Sequence, residues 1–259
     1  MDCRQPAGGT EPATRRCGAG GAAALSVILK PMEKLWVCNL GLVPYAHALA
    51  LQHRLRDARQ ADEIPDTLML LEHPPVYTRG RRSTPQELPF GEAFYAAQGI
   101  EIVDVDRGGK VTYHGPGQLV GYPIMRIGDI IGYLRTMERA IVAALAQQGI
   151  AAQGGGERPT GVWAAGSKIA SIGVHVSRRV TTHGFAVNVE NELEPFEWIV
   201  PCGLDGVRIT SIARESGRAS SLEDFRARMA EQFALAFERS AQAVEPEQLT
   251  DALAEAVAG

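Results

Sequence analysis

Three side chains in this sequence are of types that do covalent or acid–base chemistry and stand where the backbone can present them: Cys202, Lys168 and His114. Cys202 lies in Pro201-Cys202-Gly203-Leu204, and a proline and a glycine flanking a thiol favour a turn, where the sulfur can face a pocket instead of a core. A thiol attacks as the thiolate, so with a free pKa of about 8.5 it needs a cation or a base beside it. A lysine can supply an ammonium and a histidine an imidazole, the commoner partner of a nucleophilic thiol. Each residue also has an ordinary reading. An unpaired cysteine is most often an inert core residue, a lysine at a turn is most often solvated, and a histidine beside glycines can belong to a ligand-free hairpin. Residue types alone leave these alternatives open.

The stretch most able to position such groups is 107–124, R-G-G-K-V-T-Y-H-G-P-G-Q-L-V-G-Y-P-I, in which five glycines and two prolines interrupt strand-forming residues. Backbone of this kind turns sharply and lies close to something that tolerates no side chains, which points to a ligand. Around it, residues 35–43 suit a buried strand, with Cys38 as a small core hydrophobe. Pro44 suits a helix's first turn, and Tyr45, Ala48, Leu49, Gln52 and Leu55 follow at helical spacing. Residues 67–71 form an apolar run of strand length, stopped by Pro74-Pro75. A short helix is expected over 89–98 with Gly99 as its stop, then a strand over 100–105 that delivers Arg107.

Tyr133, Met137, Ala140, Ile141, Ala144 and Leu145 define the apolar face of a long helix ended by Gly149. Residues 154–156, all glycine, read as a flexible connection, since no Gly-Lys-Ser/Thr ending follows. Residues 160–164 read as a strand, and 169–176 pair with 180–189 across a turn at 177–179. Ser220 with Glu223 reads as a capping box before an amphipathic helix, and one more short helix or a frayed end is expected from Glu245.

Several of these strings, taken together and in order, resemble the lipoyl(octanoyl) transferase family of lipoate biosynthesis. They are R-G-G-x-x-T-Y-H-G-P-G-Q, G-x-W around Trp163, S-K-I-A-S-I-G from Ser167, H-G-F-A-x-N-V from His183 and P-C-G-L. The resemblance implies an α+β fold, a mixed β-sheet flanked by helices, like the catalytic domain of biotin and lipoate protein ligases. It implies transfer of an octanoyl or lipoyl group from acyl carrier protein to a lysine of lipoyl domains, with Cys202 as nucleophile and Lys168 as its catalytic partner. The lipoyl domains are those of 2-oxoacid dehydrogenase E2 subunits and the glycine cleavage H protein. Substrate contacts are implied for Arg107, Gly108, Gly109, Lys110, Val111, Thr112, Tyr113 and His114, for Ser171, Ile172 and Gly173, and for Gly184, Phe185 and Ala186. The acyl group arrives on phosphopantetheine, so neither ATP, nor a metal, nor another cofactor is expected. The carrier is implied to be acidic, and Arg79, Arg81 and Arg82 are placed to steer it. Backbone amides around Gly108, Gly109 or Cys202 are candidates for meeting the charge that develops on the thioester oxygen.

Composition bounds the alternatives. The chain has 259 residues, 45% of them hydrophobic, enough for a full core. Its formal charge of −4 argues against a nucleic-acid partner, and no apolar run approaches a membrane span. The four cysteines show neither metal-ligand spacing nor disulfide density, which fits a reducing cytoplasm. Residues 1–31 are rich in glycine and alanine and read as a disordered tail, 32–243 as the catalytic domain, and 244–259 as a tail or short helix. Arg15-Arg16 lacks the apolar core of an export signal, and Met32 is a candidate translation start. The competing functions are an ATP-dependent lipoate or biotin ligase of the same fold and a non-catalytic module binding lipoyl domains or an acyl carrier.

Overall fold

A computed structural model describes residues 32–156, 158–199, 207–218 and 220–258. Strand β1 (Glu33–Leu42) leads through helix α1 (Tyr45–Gln60) to β2 (Asp66–Glu72), which lies parallel to it. Then come β3 (Val76–Arg79), α2 (Glu92–Ala97), β4 (Glu101–Asp104), β5 (Thr112–His114), β6 (Gln118–Ile124) and α3 (Ile130–Ala146). The short β7 (Ala152–Gly154) and β8 (Gly161–Ala164) precede the long hairpin of β9 (Ser167–Ser177) and β10 (Val180–Asn188). The described chain closes with α4 (Ile212–Ser216), α5 (Leu222–Ala236), β11 (Arg239–Ala243) and α6 (Pro246–Ala258).

Eight of these strands make one mixed sheet in the order β11-β1-β2-β6-β10-β9-β8-β7, and β4-β3-β5 make a smaller one. The large sheet is covered on both faces, so β10 is buried at every position and β2 reads as a continuous apolar run instead of an alternating one. Successive side chains on β2 still point to opposite sides. Leu68 and Leu70 meet Met137, Ile141, Phe225 and Phe233 of α3 and α5, whereas Met69 and Leu71 join Tyr45, Leu55, Leu249 and Leu253 of α1 and α6. The small sheet has its own core of Tyr77, Tyr95, Tyr113 and Phe196.

The mixed sheet flanked by helices agrees with the expected α+β class. Two local expectations are corrected, and one strand is added. The α5 cap is Ser221, whose Oγ accepts from Asp224 N at 3.1 Å; the buried face of Leu222, Phe225, Met229 and Phe233 sets the helix phase one residue later than the Ser220 box implies. Glycines 154–156 are not a free connection, because Gly154 belongs to β7 and the buried Glu138 carboxylate accepts from Gly155 N at 3.3 Å and Gly161 N at 3.1 Å. A Cβ at Gly154 would lie 2.8 Å from Glu138 Oε2, so the glycine permits this approach. Strand β11 was not anticipated; it extends the sheet parallel to β1. Of the two readings for the residues from 244 on, the helix is observed, with Leu249 and Leu253 buried. Residues 1–31 lie outside the described residues.

Candidate active site

A cavity of about 650 Å³ lies where the turn after β4 leans on β9. Strand β8 pairs with β9 only as far as Gly161 opposite Ser171, and Gly108 N donates to Val174 O at 3.0 Å on the edge left beyond it. That amide is therefore committed to β9, which removes Gly108 N–H from the candidates for the thioester oxygen. The Arg107 side chain is 8% exposed and turns inward: its Nη2 donates to Thr78 O at 2.8 Å and Thr78 Oγ1 at 2.7 Å. From the other side Arg81 N donates to Arg107 O and Arg82 N to Gly109 O, both at 3.1 Å, and a Cβ at Gly80 would lie 2.6 Å from Gly109 O. The glycines at 80, 108 and 109 thus let two loops clasp.

The neighbouring strands contribute bare backbone. Ser171 pairs with Ala186 and Gly173 with Gly184 across β9 and β10, so two consecutive same-face pairs carry almost no side chain. A side chain at either glycine meets backbone: a Cβ on Gly184 would lie 2.1 Å from Gly121 O, and one on Gly173 would lie 2.9 Å from Gly108 O. Ile172 and Phe185 also line the cavity, as do Lys110, Val111, Thr112 and His114. Lys110 pairs with Glu87 at 3.1 Å, and Glu87 also accepts from Val111 N at 3.0 Å.

Tyr113 is the exception among the expected contacts. It does not line the cavity; strand alternation sends its ring into the small-sheet core, 5.5 Å from both Tyr77 and Phe196. Of the three expected stretches, 171–173 and 184–186 lie on the paired strands β9 and β10, while 107–114 belong to the small sheet and its approach.

Lys168 opens β9 at 4% exposure, with its Nζ 5.8 Å from the Trp163 ring centroid. Its backbone is fixed on both sides: Lys168 N donates to Arg208 O at 2.8 Å, and Thr210 N donates to Lys168 O at 3.0 Å. Cys202 lies outside the described residues, together with the rest of its P-C-G-L string. Cys38 is buried in β1, and burial pushes its thiol up to about 11, so it is no nucleophile at neutral pH. Arg79 is held bidentately by Asp104 at 2.7 and 2.8 Å, whereas Arg81 and Arg82 are exposed and Arg82 lines the cavity.

Sequence reasoning missed Tyr45, Tyr122 and His183, all buried and all lining the cavity. His183 has φ of 57°, its backbone N donates to Gln52 Oε1 at 2.6 Å, and its Nε2 donates to Asp106 Oδ1 at 2.6 Å. Tyr45 Oη lies 3.3 Å from His183 Nδ1. Tyr122 donates to His73 Nε2 at 2.8 Å, because His73 Nδ1 donates to Val43 O at 2.7 Å. The hydrogen bond from His183 holds the Asp106 carboxyl well below the usual carboxylate range, and burial lowers His73 to about 4. The available signal was the histidine opening H-G-F-A and two tyrosine hydroxyls at buried positions, which need partners.

Residues 44–234 match the family model of the lipoyl protein ligase A/B catalytic domain. The octanoyltransferase of Mycobacterium leprae (strain Br4923) is 46% identical over 204 residues, covering 75% of this chain and 84% of the relative. That of Geobacter sulfurreducens is 46% identical over 202 residues, covering 76% and 83%. Among solved structures, Ta0514, a putative lipoate protein ligase from T. acidophilum, superposes with a TM-score of 0.67 at 17% identity, covering 87% of this chain and 93% of that one. A lipoate-protein ligase A bound with ATP gives 0.64 at 16% identity, covering 87% and 94%. These neighbours share the fold. The chain belongs to the lipoyl protein ligase A/B catalytic-domain family. Within that family it is an acyltransferase, the class of its curated relatives.

Proposed function

We propose that this protein transfers an octanoyl group from acyl carrier protein to a lysine of lipoyl domains through a thioester on Cys202, with Lys168 as the partner of the thiol. The observation that carries the reading is the small-residue trough of Ser171, Gly173, Gly184 and Ala186, continuous along β9 with the buried Lys168. An acyl chain needs such an apolar groove. The mapping of Cys202 onto this site is supported by the chain returning at Val207 to pair with Lys168 through Arg208 and Thr210.

The Cys202 thiolate attacks the thioester carbonyl of the carrier-bound acyl group. The tetrahedral adduct collapses, the phosphopantetheine sulfur leaves as a thiol with the proton of the Lys168 ammonium, and the acyl group remains on Cys202 beside a neutral lysine. Exchange of one thioester for another is nearly neutral in energy, so no nucleotide is required. The acceptor lysine's amine then attacks, its proton passes to a neutral Lys168, and the Cys202 thiolate leaves as the amide forms. An adjacent ammonium favours the thiolate at the start of the cycle. This reading takes the cytoplasm as the place of the reaction and acyl carrier protein and the E2 and H-protein lipoyl domains as its partners, and it calls for no metal or other cofactor because the acyl group arrives as a thioester. No described helix is long and apolar enough to cross a membrane.

Incubation with octanoyl-acyl carrier protein and no nucleotide should add one octanoyl mass to the protein, and Cys202→Ala should abolish the adduct. Discharge by an apo-lipoyl domain should give ping-pong kinetics. Transfer of free octanoate that requires ATP, with no adduct, would make the protein a ligase.

A further inference from the structure

A line of directed hydrogen bonds joins the strand position of Lys168 to the cavity wall. Thr210, whose N–H is bonded to Lys168 O, offers its carbonyl to Asn188 Nδ2 at 3.0 Å. A carbonyl only accepts, so the Asn188 amide is fixed with its Oδ1 on the far side, where it accepts from Gln118 Nε2 at 2.9 Å. Gln118 Nε2 also donates to Tyr113 O at 3.2 Å. Its orientation is thereby set as well, and its Oε1 faces His114 Nδ1 at 2.7 Å. An amide oxygen cannot donate, so the proton of this bond sits on His114 Nδ1. Gln118, Asn188 and Thr210 are all buried, and no solvent competes for these groups.

We propose that Gln118 and Asn188 lock His114 in the neutral tautomer whose unprotonated Nε2 faces the cavity, and that this Nε2 accepts a hydrogen bond from the acceptor lysine's amine during acyl transfer. The proposal rests on the octanoyl-transfer reading and gives His114 a role within it. The amine needs two things as it attacks: a base for the proton it loses and an acceptor that aims its lone pair at the thioester. Lys168 serves as the base and His114 as the aiming group, with no proton passing to the imidazole.

The surroundings keep the ring neutral. His73 meets it edge-on at a centroid distance of 5.7 Å, Tyr45 stacks on it at 6.2 Å, and Arg107 and His183 also face it electrostatically. Burial, then His73, hold it well below the usual histidine range.

The test uses the full chain. In ¹⁵N-histidine spectra of the wild type, His114 should show a protonated Nδ1 and a bare Nε2; a protonated Nε2 overturns the lock. Gln118→Glu retains an acceptor for Nδ1–H but adds a negative charge that favours the imidazolium, whose Nε2 donates. Its acyl-enzyme should discharge to a lipoyl domain about tenfold more slowly, relative to its own formation, at pH 7 than the wild type, and the deficit should close towards pH 9. A discharge deficit independent of pH, or none, overturns the proposed role. If the wild type forms no adduct at all, the octanoyl-transfer reading fails, and the spectra still decide the tautomer.

Discussion

His183 Nε2 donates to Asp106 Oδ1 at 2.6 Å, which ties a left-handed residue of β10 to the segment entering the Arg107 turn. The bond steadies a backbone conformation that a histidine adopts at a cost. Asp106→Asn should lower the unfolding free energy by about 1 kcal/mol, allowing for a half-exposed carboxylate. An unchanged urea midpoint would show that Gln52 alone holds His183.

Acid should destabilise the protein through its buried histidines. His73 is lowered from 6.5 to about 4 by burial. Above pH 6.5 the folded and unfolded forms are both neutral and the group contributes no pH dependence. Below it the unfolded chain takes up a proton that the folded one refuses, so up to about 3 kcal/mol is lost as pH falls towards 4. His114 and His183 are shifted in the same direction and steepen the loss. Urea midpoints between pH 7 and 4.5 measure the slope, which His73→Gln should flatten; an equal slope in both proteins would remove His73 from the account.

The trough glycines should separate folding from binding. Gly184→Ala would place a methyl 2.1 Å from Gly121 O, a backbone atom that cannot step aside, and should cost roughly 3 kcal/mol or more. Gly173→Ala meets Gly108 O at 2.9 Å, a much smaller overlap, so it should raise KM for the octanoyl donor more than it lowers Tm. Equal melting losses would contradict the distinction.

For the thiol partner, Lys168→Ala should shift the pH at which Cys202 reacts with iodoacetamide upward, since the thiolate loses its ammonium neighbour. If His114→Ala moves the alkylation profile and Lys168→Ala does not, the activating role belongs to the imidazole.

Carrier steering should divide the three arginines of the basic loop. Arg79 is already paired with Asp104 and lies 3.7 Å from Glu92, so Arg81→Glu and Arg82→Glu should raise the donor's KM at low salt more than Arg79→Glu does. Equal effects from all three, persisting at high salt, would mean the loop acts by contact instead of by long-range attraction.

Local pattern made much of this fold legible. The β9–β10 hairpin follows from two strand-forming runs around Ser177-Arg178-Arg179, and the arginines of that turn have φ of 45° and 67°. Strand β11 escaped notice because Arg-Ser-Ala-Gln-Ala has no apolar alternation; it joins β1 through backbone hydrogen bonds that any residue can make. Tyr113 fell on the wrong side because its motif was read as a string, whereas a period of two separates it from Thr112 and His114. Tyr45 and His183 are 138 positions apart, and nothing along the chain records that they meet. Lys168 and most of the glycine-lined wall were legible because short, specific strings carry them.

The trough floored by Gly173 and Gly184 also constrains how this enzyme could be re-engineered. Glycine has nothing to trim, so no substitution can deepen the floor, and any change there can only fill it. Shorter substrates are accordingly one methyl away, at the risk of misfolding. Longer or branched ones must be accommodated from the sides, where Ile172, Thr112 and Tyr45 offer atoms to remove. A library built for broader substrate range should vary those walls and leave the floor untouched.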